Sequence, residues 1–230
     1  MHYLYIKKIP KQTSVAINLK FLPFFLLFLG SFLILSVSSP IIFYQFFLSP
    51  SFSEVLEPVP SGMEVLGEYE EEDYTKISNW FINDQPLPPL PSKITHYKIS
   101  IPKLKISDAV VQVGGVDLKE SLIHYQGTAF PGQFGNTVIF GHSVLPQFFN
   151  PTNYLTIFST LPTLKVKDEI FVDFDGVRYK YVVEELKEVS PSDISVLEQR
   201  YDDSYLTLIT CVPPGTYLKR LAVRARLEKI

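Results

Sequence analysis

The apolar and polar positions divide the chain into three stretches of different character. From Phe21 to Phe47 no charged residue occurs, and about 20 apolar residues suffice to cross the hydrocarbon layer of a bilayer. A membrane-spanning helix over 21–48 is therefore predicted, with Pro40, after Ser38 and Ser39, as its kink or end point. Lys7, Lys8, Lys11 and Lys20 are the only charged side chains before it. Lysines on that flank alone place residues 1–20 in the cytoplasm and everything after about residue 50 outside the cell, in a single-pass membrane topology. A cleaved secretory signal is the competing reading. It fits less well, because Ser36–Val37–Ser38 imitates a cleavage site poorly and apolar sequence continues well past it.

The second stretch, 49–92, is acidic. Glu54, Glu57, Glu64, Glu68, Glu70, Glu71, Glu72, Asp73 and Asp84 face a single basic residue, Lys76, and the stretch ends in Q-P-L-P-P-L-P. That composition favours an extended, semi-rigid extracellular linker. Within it, Tyr74–Ile82 has the makings of a short helix carrying Trp80 and Phe81.

From 93 to 230 the period changes to two. His96–Ile101 alternates, Pro102 breaks it, and Ile106–Val113 resumes before Gly114–Gly115. Asp117–His124 reads as one short helix. Asn136–Phe140 is a buried strand running into Gly141 and His142, and 154–164 holds a short helix or turn with Phe158 and Leu161 facing inward. Glu169–Phe174 and Val177–Val183 form a hairpin through Asp175–Gly176. Strand-like sequence runs on to Val189, and Ser190–Leu197 is a capped helical turn. Tyr205–Thr210 is a β-branched strand, and Leu221, Val223 and Ala225 alternate with polar or small residues in a last one. Seven or eight short strands with brief helices make an all-β sandwich or closed barrel.

At 230 residues the chain holds one domain of ordinary size with extensions. A net charge of −3 gives no nucleic-acid footprint. No loop has the ligand spacing of a metal site, and Gly114–Gly115 and Gly132–Gly135 lack the strand–loop–helix setting of a phosphate cradle, so no metal and no cofactor is expected. The single cysteine, Cys211, excludes an intramolecular disulfide. It is either an inert packed thiol or a nucleophile at the end of a strand, before the Pro213–Pro214–Gly215 turn. Arg220, across that turn, supplies a cation. Lys219, Arg224 and Arg226 are its rivals, the last two on the same strand face by the period of two and read as a solvated outward row.

T-L-I-T-C at 207–211, an arginine nine residues on within K-R-L-A-V, and G-H-S at 141–143 together resemble the sortases, the cell-surface cysteine transpeptidases of bacteria. The resemblance spans roughly Tyr97–Leu227 and implies a closed eight-stranded β-barrel. It implies Cys211 as nucleophile, His142 as acid and base, and Arg220 as the cation beside the acyl centre. His2, His96 and His124 are left as structural or solvated. It further implies two partners: surface proteins bearing a Leu-Pro-x-Thr-Gly-like sorting signal, and an amine acceptor such as a cell-wall precursor. The class stays open. The P-P-G-T-Y loop is similar to the pilin-type pattern, whereas a lone N-terminal anchor with no second apolar run is similar to housekeeping types. Some sortases lay an N-terminal segment over the site as a lid, but 51–92 carries no lid motif and reads as a spacer. An L,D-transpeptidase-like cell-wall enzyme and an anchored, non-catalytic binding module remain the alternatives.

Overall fold

A computed structural model of the chain describes residues 21–48, 73–82, 88 and 93–228. The N-terminal lysines, the acidic run 54–72 and most of the proline-rich stretch lie outside the described residues. Helix α1, Leu22–Phe43, continues through Pro40 and then widens into a π-type turn, Tyr44–Leu48. Pro40 thus loosens the helix rather than ending it, since its ring removes only one hydrogen bond of the ladder. The apolar stretch Leu22–Phe47 spans 26 residues. At 1.5 Å per residue that is about 39 Å, long enough to cross a bilayer.

Eight strands follow: β1 (His96–Ile101), β2 (Ile106–Val113), β3 (Leu122–His124), β4 (Gly135–Phe140), β5 (Glu169–Phe174), β6 (Val177–Val189), β7 (Ser204–Val212) and β8 (Lys219–Leu227). They close into a barrel in the order β1-β2-β3-β4-β7-β8-β6-β5. β2 with β3 and β4 with β7 are parallel, and the other pairs are antiparallel. Closure removes the unpaired edges that an open sheet of this size would leave. The predicted hairpin at Asp175–Gly176 is present, with both residues at positive φ as a two-residue turn of this hand requires.

Alternation sorts the side chains into two clusters. Ile99, Val111, Leu122, Ile139, Val172, Val183, Leu206, Leu208 and Val223 fill the interior. Ile123, Val138, Phe140, Ile209, Cys211 and Ala222 point outward into a second cluster. β4 and β7 are therefore buried on both faces along their whole length.

The helix expected over 117–124 is not formed. Asp117 caps a turn by accepting from Lys119 N (2.9 Å), and Leu122–His124 is a strand wedged between β2 and β4. Leu122 and Ile123 each find a separate apolar cluster only if they point to opposite faces, which a helical turn cannot arrange. The other expected brief helices are single 3₁₀ turns at Ile77–Asn79, Leu161–Thr163 and Ser195–Leu197, and two more start at prolines, Pro102–Leu104 and Pro146–Phe148. Phe158 and Leu161 are buried as expected.

His124 is wholly buried inside the barrel, satisfied at both ring nitrogens. Thr128 Oγ1 donates its proton to Tyr125 O (2.7 Å) and so accepts from His124 Nε2 (3.1 Å), leaving Nδ1 to accept from Tyr97 Oη (2.8 Å). Burial pushes its pKa down to about 4. In the unfolded chain the value returns to about 6.5, so as pH falls the unfolded state takes the proton first. Stability fully present above pH 6.5 is then lost on the way down to pH 4, by about 3 kcal/mol. The denaturation midpoint should fall steadily across that window, while the His124 ring NMR signal stays untitrated above pH 5. Titration of that signal near 6.5 would contradict this account.

Candidate active site

Two strand pairings bring the three candidate residues together. In the parallel pair β4–β7, Phe140 lies opposite Ile209. Two residues further along each chain stand His142 and Cys211. The pairing continues to that point, because Gly141 N donates to Ile209 O (3.0 Å), Thr210 Oγ1 to Gly141 O (2.8 Å) and Ser143 Oγ to Cys211 O (2.8 Å). On the other side of β7, Cys211 is in register with Arg220 on β8. His142, Cys211 and Arg220 thus sit abreast at one end of the barrel, with the thiol in the middle. Gly141 is required where it stands. A Cβ there would come within 2.3 Å of the Phe158 ring and 2.7 Å of Leu122, so only glycine lets β4 approach closely enough to deliver His142.

His142 is 6% exposed. Its Nδ1 lies 2.7 Å from Leu155 O; a carbonyl only accepts, so Nδ1 carries the proton and Nε2 is left as the basic nitrogen. Burial draws its pKa below the usual histidine value, opposed by that hydrogen bond. The Cys211 thiol is 1% exposed, and burial pushes its pKa up to about 12, with the Arg220 charge pulling the other way. Arg220 is also 1% exposed. Its Nη1 donates to Tyr217 O (2.9 Å) and Lys219 O (3.2 Å), and its Nε donates to Trp80 O (2.9 Å). A neutral thiol, a neutral imidazole and a sequestered guanidinium describe a closed site.

What closes it is the segment 73–82, which was expected to belong to a spacer. Trp80 is 0% exposed and packs edge-on against Phe140 (5.3 Å), with Phe81 beside it, in the same outer cluster as Cys211. Tyr74 stacks on Tyr217 (4.1 Å), whose ring meets His142 edge-on at 6.5 Å. The guanidinium of Arg220 lies over both the Tyr74 and Trp80 rings. The strap is tied at both ends. Leu118 N donates to Thr75 O (2.9 Å), Ile77 N donates to Val116 O (3.2 Å), and Lys76 pairs with Asp117. At the far end, Ile82 N donates to Pro191 O (2.9 Å). An open cavity of about 280 Å³ on the same barrel face is lined by Asn136, Thr207 and Arg224 rather than by Cys211. Cys211 is buried in a cluster that includes the Trp80 and Phe81 rings.

The remaining candidates lie elsewhere. His96 is exposed beside Thr95, and His124 is in the barrel interior. His2 lies outside the described residues. Arg224 and Arg226 share the outer face with Arg220, as expected, but they form ion pairs, Arg224 with Glu184 and Glu185 and Arg226 with Glu184. Among the described residues no three His, Cys, Asp or Glu side chains cluster closely enough to hold a metal ion. Sequence reasoning missed Tyr217, Tyr74 and the Leu155 carbonyl. The hint of the strap in the sequence is the pair Trp80 and Phe81 in an otherwise acidic stretch.

The family model for the Sortase domain matches residues 99–228. Among solved structures, the chain is similar to a Sortase D5 transpeptidase from Clostridium perfringens, at 29% identity and TM-score 0.51 over 61% of this chain and 82% of that one. It is similar to a lid mutant of Sortase A from Corynebacterium diphtheriae, at 30% identity and TM-score 0.52 over 61% and 73% of the two chains. It is also similar to sortase C-1 from Actinomyces oris, at 28% identity and TM-score 0.53 over 60% and 77%. No curated protein sequence matches the chain.

Proposed function

Because the chain belongs to the sortase family, we propose that it is a membrane-anchored cysteine transpeptidase acting on a Leu-Pro-x-Thr-Gly-like sorting signal through a thioester on Cys211. The observation that supports this reading is the strand register that sets a thiol between an imidazole and a guanidinium. With the site open, the Cys211 thiol gives its proton to His142 Nε2, the resulting thiolate attacks the threonine carbonyl carbon, and the oxyanion that develops is met by Arg220. As the C–N bond breaks, protonated His142 gives its proton to the departing amine, leaving an acyl thioester and neutral imidazole. An incoming amine, on a cell-wall precursor or a protein, attacks the thioester. His142 takes the amine's proton, and Cys211 leaves as the thiolate, which restores the starting pair of thiolate and imidazolium. The test is incubation with a sorting-type reporter peptide and an amine acceptor. The expected result is the ligated product, with the acyl mass added to Cys211 on trapping. No adduct and no product with any sorting-type peptide would favour the binding-module reading.

A second reading concerns the segment 73–82, which we take as a lid. It is supported by the Trp80 carbonyl on Arg220 Nε, a donor that a substrate carbonyl would otherwise use, and by the Trp80 and Phe81 rings, which share the buried outer cluster with Cys211. One of the similar structures is itself described as a lid mutant.

The apolar helix would hold the protein in the membrane with residues 1–20 inside and the barrel outside, a reading that rests on Lys7, Lys8, Lys11 and Lys20. Protease added to intact cells should digest the barrel domain; its complete protection would reverse the orientation.

A further inference from the structure

The recess that holds Trp80 and Phe81 has a floor made by strands and a wall made by a loop. The floor is Val138 and Phe140 on β4, Ile209 on β7 and Ala222 on β8. The wall is the β6–β7 connection, 190–203, which buries Leu197 and packs Val196 into the same cluster while Pro191 receives the end of the strap. This connection has only one 3₁₀ turn of regular structure, so something else must fix it.

Two amide side chains do so. Gln199 uses both of its polar ends on β4. Its Oε1 accepts from Asn136 N (3.0 Å) and Ala129 N (3.3 Å), and its Nε2 donates to Asn136 O (2.9 Å) and Leu197 O (3.4 Å). The side chain thus pairs with Asn136 as a neighbouring strand's backbone would. Asn136 returns the contact: its Nδ2 donates to Val196 O (3.2 Å) and Glu198 O (3.4 Å), while its Oδ1 accepts from Thr207 Oγ1 on β7 (2.7 Å). Every polar end of both amides is used, and four of the bonds join the wall to Asn136 on β4. Behind the wall lies open space, the cavity lined by Ser195, Val196, Glu198 and Arg200. The loop is therefore clasped at its base rather than packed against a solid support.

We propose that Gln199, acting with Asn136, is a positioning residue that holds the 190–199 wall in place to receive the apolar part of the sorting peptide. This inference rests on the sortase reading above. When the strap leaves, Ile82 no longer ties Pro191, and the clasp, with Leu197 packed beside it, keeps the groove preformed. A wall held in place before binding spares the peptide the cost of ordering it. The effect belongs to peptide affinity, because neither amide is placed at the thiol, the imidazole or the guanidinium.

In the full chain, Gln199→Ala should raise KM for the reporter peptide at least fivefold, with kcat within twofold of wild type. Gln199→Glu keeps the two accepted bonds and loses the two donated ones, so its KM should fall between the two. Amide hydrogen exchange over 190–199 should speed up in Gln199→Ala, while exchange in β7 stays slow. A lowered melting temperature with unchanged KM would reduce the clasp to a structural role and overturn the proposal, as would unchanged exchange over 190–199. Should the wild-type protein process no sorting peptide, the sortase reading fails, and the exchange measurement still decides whether the clasp holds the wall.

Discussion

Cys211→Ala should abolish both cleavage and transfer while the barrel stays folded. Alanine removes one sulfur from an outer cluster in which Ile209, Ala222 and Phe140 remain in contact, and no hydrogen bond of the fold passes through Sγ among the described residues. His142→Ala should leave a thiol that can still be alkylated, with turnover lower by roughly two or more orders of magnitude for want of a proton donor to the leaving amine. Arg220→Lys keeps the charge and loses the planar fork. Because Arg220 also holds Tyr217 O and Lys219 O, its melting temperature must be read beside its rate. A variant that melts like wild type and is slow isolates the loss of the guanidinium. The measurement is reporter turnover with an amine acceptor, together with the mass of trapped Cys211. Wild-type turnover by Cys211→Ala would disprove the mechanism.

Opening the strap should have the opposite effect. Truncating a buried tryptophan costs about 3–5 kcal/mol, and about 1.4 kcal/mol is a factor of ten in an equilibrium. Trp80→Ala should therefore shift the strap toward its released state by about a hundredfold to a few thousandfold, without touching the barrel interior. Cys211 would regain water, the burial that pushes its pKa up to about 12 would be relieved, and Arg220 would regain the donor now spent on Trp80 O. The expected readouts are alkylation of the thiol at least tenfold faster and turnover several-fold higher. Deleting the segment up to about residue 91 should do the same. Equal rates with and without the strap would return 73–82 to the role of a spacer.

The barrel was legible because its signals are local: period-two alternation, the Asp175–Gly176 turn, and T-L-I-T-C with its following arginine each lie within a few residues. The candidates His142, Cys211 and Arg220, which the strand register sets side by side, also lie in short motifs. Long-range packing was not. Leu122–His124 looked helical because three residues are too few for a period to show, and only the flanking β2 and β4 make them a strand. The strap was hidden by its composition. Asp73, Lys76 and Asn79 read as solvated linker, and nothing nearby in sequence reveals that Trp80 has Phe140 and Arg220 as neighbours. The amides of Asn136 and Gln199 gave no signal either, since their partners are backbone atoms that exist as partners only after folding.

Barrel closure has a consequence for the order in which the chemistry comes into being. Cys211 acquires its imidazole only when β7 settles beside β4, and its guanidinium only when β8, the last strand, docks between β7 and β6. Each pairing joins residues remote in sequence, so loop entropy must be overcome before the contacts compensate for it. No shorter fragment of the domain contains the site. A chain emerging N-terminus first cannot bring the three candidate residues side by side until β8 is in place.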